Sequence, residues 1–99
     1  MNAYKNLLSA AELVEIMERE ADDNIADEIF DEIYFMQECN AKWERCFPYN
    51  GYEIYMAAFD DDSIPLEHLP AIAIKNGEAR LLTTDEVSDY IKRYKSLLR

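Results

Sequence analysis

Ninety-nine residues give room for one domain, residues 1–99, built around one core, and a composition that is 49% apolar and 12% aromatic excludes a disordered chain. Two glycines and three prolines weigh against a loop-rich or all-β architecture. Twenty-one acids against ten bases leave a net charge of −11, which excludes direct binding to nucleic acid or to an anionic membrane and leaves a basic partner or plain solubility.

The opening segment from Met1 to Ser9 lacks the long apolar stretch of a secretory leader, and no apolar run is long enough to cross a bilayer. Cys39 and Cys46 are seven residues apart, or roughly 10 Å if both lie on one helix, beyond the reach of a disulfide. Free thiols and a cytoplasmic protein are the expectation.

In chain order, the first element is a helix with a complete start signal. Ser9-Ala-Ala-Glu12 is a capping box, Leu8 and Leu13 occupy the staple positions, and Leu13, Met17 and Ala21 continue one apolar face with Val14 and Ile16 beside it. It ends near Asp22-Asp23-Asn24, whose side chains compete for backbone bonds. Asp23 or Asn24 then caps a second helix, expected from Ile25 to Cys46 and stopped by Pro48. Ile25, Ala26, Ile29, Phe30, Ile33, Met36, Trp43 and Phe47 fall on its apolar side. Asp27, Glu28, Asp31, Glu32 and Glu38 fall on the other, with Phe35 among them and Tyr34 at the border.

Tyr49-Asn50-Gly51 reads as a turn, Tyr52 to Phe59 as a strand ended by Asp60-Asp61-Asp62-Ser63, and Ile64 to Pro70 as a connector between two prolines. Two short apolar strands between Pro70 and Leu82 then flank Asn76-Gly77, the pair best suited to a type I′ hairpin turn. Thr83-Thr-Asp-Glu86 is a second capping box with Leu82 and Val87 as its staple. Val87, Tyr90, Ile91, Tyr94 and Leu98 form the face of a last helix, and Lys92, Arg93, Lys95 and Arg99 load its C-terminal half with positive charge. The expected fold is α+β, in the order α-α-β-β-β-α, with a three-stranded sheet covered by helices.

From Tyr52 onward the pattern resembles the second half of a thioredoxin-like domain. The resemblance rests on Leu69-Pro70, the strand Ala71–Ile74, Lys75-Asn76-Gly77-Glu78, the strand Ala79–Leu82 and the helix after Thr83. It implies a cis bond at Leu69–Pro70. The family's Cys-x-x-Cys and the strand before helix two are absent, so the resemblance implies a redox-inactive adaptor or assembly factor, with contacts near Pro70, and no redox catalysis.

No residue set carries a catalytic signature. His68 has only Glu67 beside it and reads as an exposed loop histidine. Asp60, Asp61 and Asp62 are a secondary binding candidate for Mg²⁺ or Ca²⁺, but with no accompanying loop motif they read first as a solvated acidic turn. Two cysteines and one histidine do not make a zinc site, and no metal or cofactor is expected. Tyr49, Tyr52 and Tyr55 are core or interface.

The acidic side of helix two is the strongest candidate. Asp27, Glu28, Asp31, Glu32 and Glu38 either solvate the helix or await a cation. Phe35 in their midst is either packed against helix one or an anchor ringed by charge, the usual form of an interface hot spot. The expected function is that of a small non-enzymatic inhibitor, comparable in charge and size to immunity proteins and to phage proteins that mimic DNA. Its partner would be a basic protein such as a toxin, a nuclease or another nucleic-acid-binding enzyme. Self-association as a homodimer is left open.

Overall fold

The computed structural model describes residues 7–21, 25–59 and 64–95. The expectations placed on Asp22 to Asn24, Asp60 to Ser63, Leu98 and Arg99 therefore lie outside the described residues.

In chain order the elements are β1 (Leu7–Leu8), α1 (Ala10–Ala21), α2 (Asp27–Glu38), β2 (Lys42–Arg45), β3 (Glu53–Ala58), a 3-10 turn (Leu66–His68), β4 (Ala71–Lys75), β5 (Glu78–Leu81) and α3 (Thr84–Tyr94). The class is α+β as expected. The three-stranded sheet is not: five antiparallel strands pair in the order β1-β2-β3-β4-β5.

The two additional strands come from segments assigned elsewhere. Leu7–Leu8 pairs with Trp43 and Glu44 instead of merely leading into α1. Residues 42–45, expected as the last turn of helix two, form β2 and pair with Tyr55 to Ala58. The helix stops at Glu38 because Asn40 turns left-handed (φ 64°). Asn40 N–H then donates to Gln37 O and Ala41 N–H to Met36 O, both at 3.0 Å, in the bonding pattern of a Schellman stop. The helix also starts later than expected, behind Ala26, which has no capping side chain, rather than behind Asp23 or Asn24.

Pro48 is not a helix stop. Asn50 (φ 51°) and Gly51 (φ 89°) are both left-handed, and Tyr49 and Tyr52 exchange both backbone hydrogen bonds at 2.9 Å, so the type I′ turn joins β2 to β3. Cys46 N–H still reaches Ile54 O at 2.8 Å, so Phe47 and Pro48 together oppose Glu53 in a bulge. Proline has no N–H to waste there. The carbonyls of the bulge accept from α3, Phe47 O from Tyr90 Oη at 2.7 Å and Pro48 O from Tyr94 Oη at 2.8 Å. At the expected hairpin tip only Gly77 is left-handed (φ 86°), so Asn76-Gly77 does not form a type I′ turn. That tip is docked, its Gly77 N–H donating to Glu20 O at 2.7 Å in the last turn of α1. The Leu69–Pro70 bond is trans.

Helices cover both sides of the sheet. Leu13, Met17, Ile29, Ile33 and Met36 of α1 and α2 pack with Trp43, Tyr55, Ala57, Ile72 and Ile74 on one face. Val87 and Tyr90 of α3 pack with Ile54, Met56, Ala71 and Ala73 on the other. Adjacent residues of β3 and β4 thus point into different cores, which is why both strands read as unbroken apolar runs. The chain crosses the first face from β1 to the tip of the β4–β5 hairpin along α1. Ile25 bridges Ala79 on the outer side of β5, and α2 then leads back to β2.

Candidate functional site

Folding α1 and α2 onto one face of the sheet places nine carboxylates and a single arginine in one helical layer. The arginine, Arg19, sits beside Glu20 at 3.7 Å. Among the described residues, every other ion pair lies elsewhere: Arg45–Glu53, Lys75–Glu78, Arg80 with Glu78 and Glu86, and Arg93–Asp89. None reaches α2.

The face of α2 is positioned by its opposite side. Ile29, Ile33 and Met36 are buried at i, i+4 and i+7, so the remaining arc must face outward. Asp27, Glu28, Asp31 and Glu38 are exposed, and Glu32 is half-buried at the flank. Phe35 is 58% exposed, which resolves its two readings: it is not packed against α1. Tyr34, expected only at the border, is 53% exposed beside it. Cys39, one turn beyond Phe35, is an exposed thiol.

Asp27 and Glu28 suit the positive N-terminal end of the α2 dipole, but the remaining electrostatics of the helix oppose it. Asp27–Asp31 and Glu28–Glu32 are like-charged pairs at i, i+4, each opposing the helix by about 0.2–0.5 kcal/mol. There is no side-chain N-cap, no basic residue in the last turn, and Glu38 lies at the negative end of the helix dipole. Buried apolar side chains and the Asn40 stop hold the helix in place instead.

The α3 side of the molecule is built differently. Thr83 and Glu86 close the expected capping box, with Thr83 N–H donating to Glu86 Oε1 at 2.9 Å and Glu86 N–H to Thr83 Oγ1 at 3.1 Å. Arg80 grips the same carboxylate with two bonds of 2.7 and 2.8 Å. The Arg80 contact, reinforced by the Thr83 amide, holds Glu86 down at about 2. Tyr49 and Tyr55 are core residues: Tyr49 stands edge-on to Tyr90 and donates to Asp89 at 2.8 Å, and Tyr55 is buried under the first face. Tyr52 is half-buried, between the Lys75 ammonium and the Arg80 guanidinium at 4.6 and 4.8 Å from its ring centre.

The other candidates do not converge. Asp60, Asp61 and Asp62 lie outside the described residues. Pro70 is half-buried beside β4 and its carbonyl accepts from Ala57 N–H at 3.1 Å. His68 is exposed on the 3-10 turn. Cys39 and Cys46 are free thiols, although not for the expected reason, since they do not share a helix. Burial, with Glu44 adding to it, pushes the Cys46 thiol up to about 12. Among the described residues no group of three or more His, Cys, Asp or Glu side chains is placed to hold a metal. No helix of the described residues is long and apolar enough to cross a membrane. An open groove of about 430 Å³ between the 3-10 turn and α3 includes Leu66, Ile91, Lys92 and Lys95 in its lining.

A scan of protein-family models, a search of curated proteins and a search of solved structures each return no match to this chain.

Proposed function

We propose that this chain is a small, non-enzymatic inhibitor of the cytoplasm that engages a basic protein through the outer face of α2. The observation that carries this reading is the exposed Phe35 ring standing among carboxylates that no lysine or arginine of the described residues answers. Like charges left side by side work against the helix that bears them, and a cationic partner offsets that cost on binding. Complementary charge steers encounter, and a desolvated aromatic anchor holds the complex once formed. Immunity proteins and phage inhibitors that imitate the charge of DNA are the nearest comparison in size and charge; a toxin, a nuclease or a nucleic-acid-binding enzyme is the partner class.

Pull-down from host lysate at low and high salt tests this. The expected result is a basic protein retained at low salt, released as salt rises, and lost from the Glu28→Lys, Asp31→Lys, Glu32→Lys triple variant. A partner retained equally by the variant, or indifferent to salt, refutes it.

A further inference from the structure

The face of α2 also carries information about the shape of the surface that receives it. From Asp27 to Glu38 five carboxylates occupy about 16.5 Å of helix axis, an average of roughly one per 3.3 Å, with four of them in about the first 7.5 Å and Glu38 about 9 Å beyond Glu32. One strand of DNA carries one phosphate per roughly 3.4 Å of axis, and the duplex one per roughly 1.7 Å. The exposed acids of α1, Glu12, Glu15, Glu18 and Glu20, add further charge to the same helical layer, so charge alone does not separate the two. The rings do. Tyr34 and Phe35 project by more than half of their surface from the middle of the charged row. A duplex keeps its bases stacked inside and presents only phosphates and groove edges. A single strand presents phosphates and unstacked rings together, and proteins that hold it pair a basic channel with aromatic side chains on which those rings stack.

We propose that α2 occupies a single-strand nucleic-acid channel of its partner, its carboxylates in the place of phosphates and Phe35 in the place of a stacked base, so that protein and nucleic acid exclude one another. The proposal rests on the reading of α2 as the contact face. It adds that Phe35 is held as a flat ring and not merely as apolar bulk.

The test uses the immobilised full chain and three fractions of nuclease-treated host lysate, those retained on single-stranded DNA, on duplex DNA and on a plain cation exchanger. Captured protein is challenged with a twelve-nucleotide oligothymidylate and with a duplex at equal phosphate concentration. The expected result is capture from the single-strand fraction and release by oligothymidylate at concentrations at least tenfold below those of the duplex. Phe35→Leu, which keeps bulk but has no ring, weakens capture about 30-fold, the scale of a hot-spot residue, while Phe35→Trp retains it. Phe35 is exposed, so these variants keep the fold, which circular dichroism checks. Equal release by both nucleic acids, release by neither, or Phe35→Leu binding as well as the parent overturns the single-strand assignment while leaving α2 as the contact face. Capture that is indifferent to the Glu28, Asp31 and Glu32 reversals overturns both.

Discussion

Asp31→Lys separates what α2 does for the fold from what it does for a partner. Asp31 lies one turn after Asp27 and three residues after Glu28, so it faces two like charges within reach. Lysine at this position turns both repulsions into attractions in the favourable order, acid before base. At about 0.2–0.5 kcal/mol for each repulsion lost and each attraction gained, the swing is about 1–2 kcal/mol in favour of the folded state. Lysine is also the better helix former, by a few tenths of a kcal/mol. The opposing loss, a negative charge near the helix N-terminus, is small because Asp31 is already in the second turn. For a domain of this length, a gain of 1 kcal/mol raises Tm by about 4–8 °C. Thermal melts followed by circular dichroism in 10 mM salt should show that rise, and 1 M salt should shrink it, since screening then acts over about 3 Å. The same variant should bind the partner more weakly. An unchanged or lowered Tm at low salt would mean that the carboxylates of α2 are already neutralised, and the account of the helix would be wrong.

Other outcomes follow from the same geometry. Phe35→Ala should leave stability within about 0.5 kcal/mol of the parent, as expected for an exposed side chain, while partner affinity falls by a factor of about 30; a comparable loss in chemical denaturation would place the ring in the core after all. Ile33→Ala, on the opposite side of the same helix and fully buried, should cost about 2–5 kcal/mol in the same assay. Glu86, held down at about 2 by Arg80 and the Thr83 amide, titrates higher when unfolded, so its contribution is present above about pH 4.5 and is lost as pH falls toward 2. Glu86→Gln should therefore lower stability at pH 7 by about 1–2 kcal/mol, a figure reduced for partial exposure, and flatten the acid limb of a pH-stability curve; an unaltered acid limb would remove the Arg80 grip from the account. A thiol reagent at pH 8 should modify Cys39 at once and Cys46 only on unfolding, because burial keeps the Cys46 thiol protonated. Two thiols reacting at equal rates in the folded protein would contradict the part-buried position of Cys46.

The helices that start with capping boxes were legible in the sequence, because Ser9–Glu12 and Thr83–Glu86 satisfy their orphan amides locally and need nothing from the rest of the chain. The apolar side of α2 was legible from its helical spacing, but whether Phe35 packs against α1 or stands clear of it was not, because a place on the acidic side of the helix fits either. The end of α2 was not. Trp43 lies seven residues after Met36, a spacing that continues a helical face, yet it reaches the same core from a strand on the far side of a left-handed Asn40. The missed signal was Asn50-Gly51: a type I′ turn ahead of a strand requires a strand before it, and the alternation of exposed Lys42 and buried Trp43 supplied one. β1 is two residues long and exists only through its partner β2, so no local pattern announces it. The acids of α2 were legible as one side of a helix, but the packing of α1 and α2 on one sheet face, which gathers the acids of both helices into one layer, is a tertiary fact.

The most direct test of the central claim is the association rate of the captured partner with immobilised protein as a function of ionic strength. A rate that falls steeply between 50 mM and 500 mM salt, and that is low and nearly flat for the Glu28, Asp31 and Glu32 reversal, is the predicted result. A rate independent of salt, or a reversed protein that associates as fast as the parent, would contradict it.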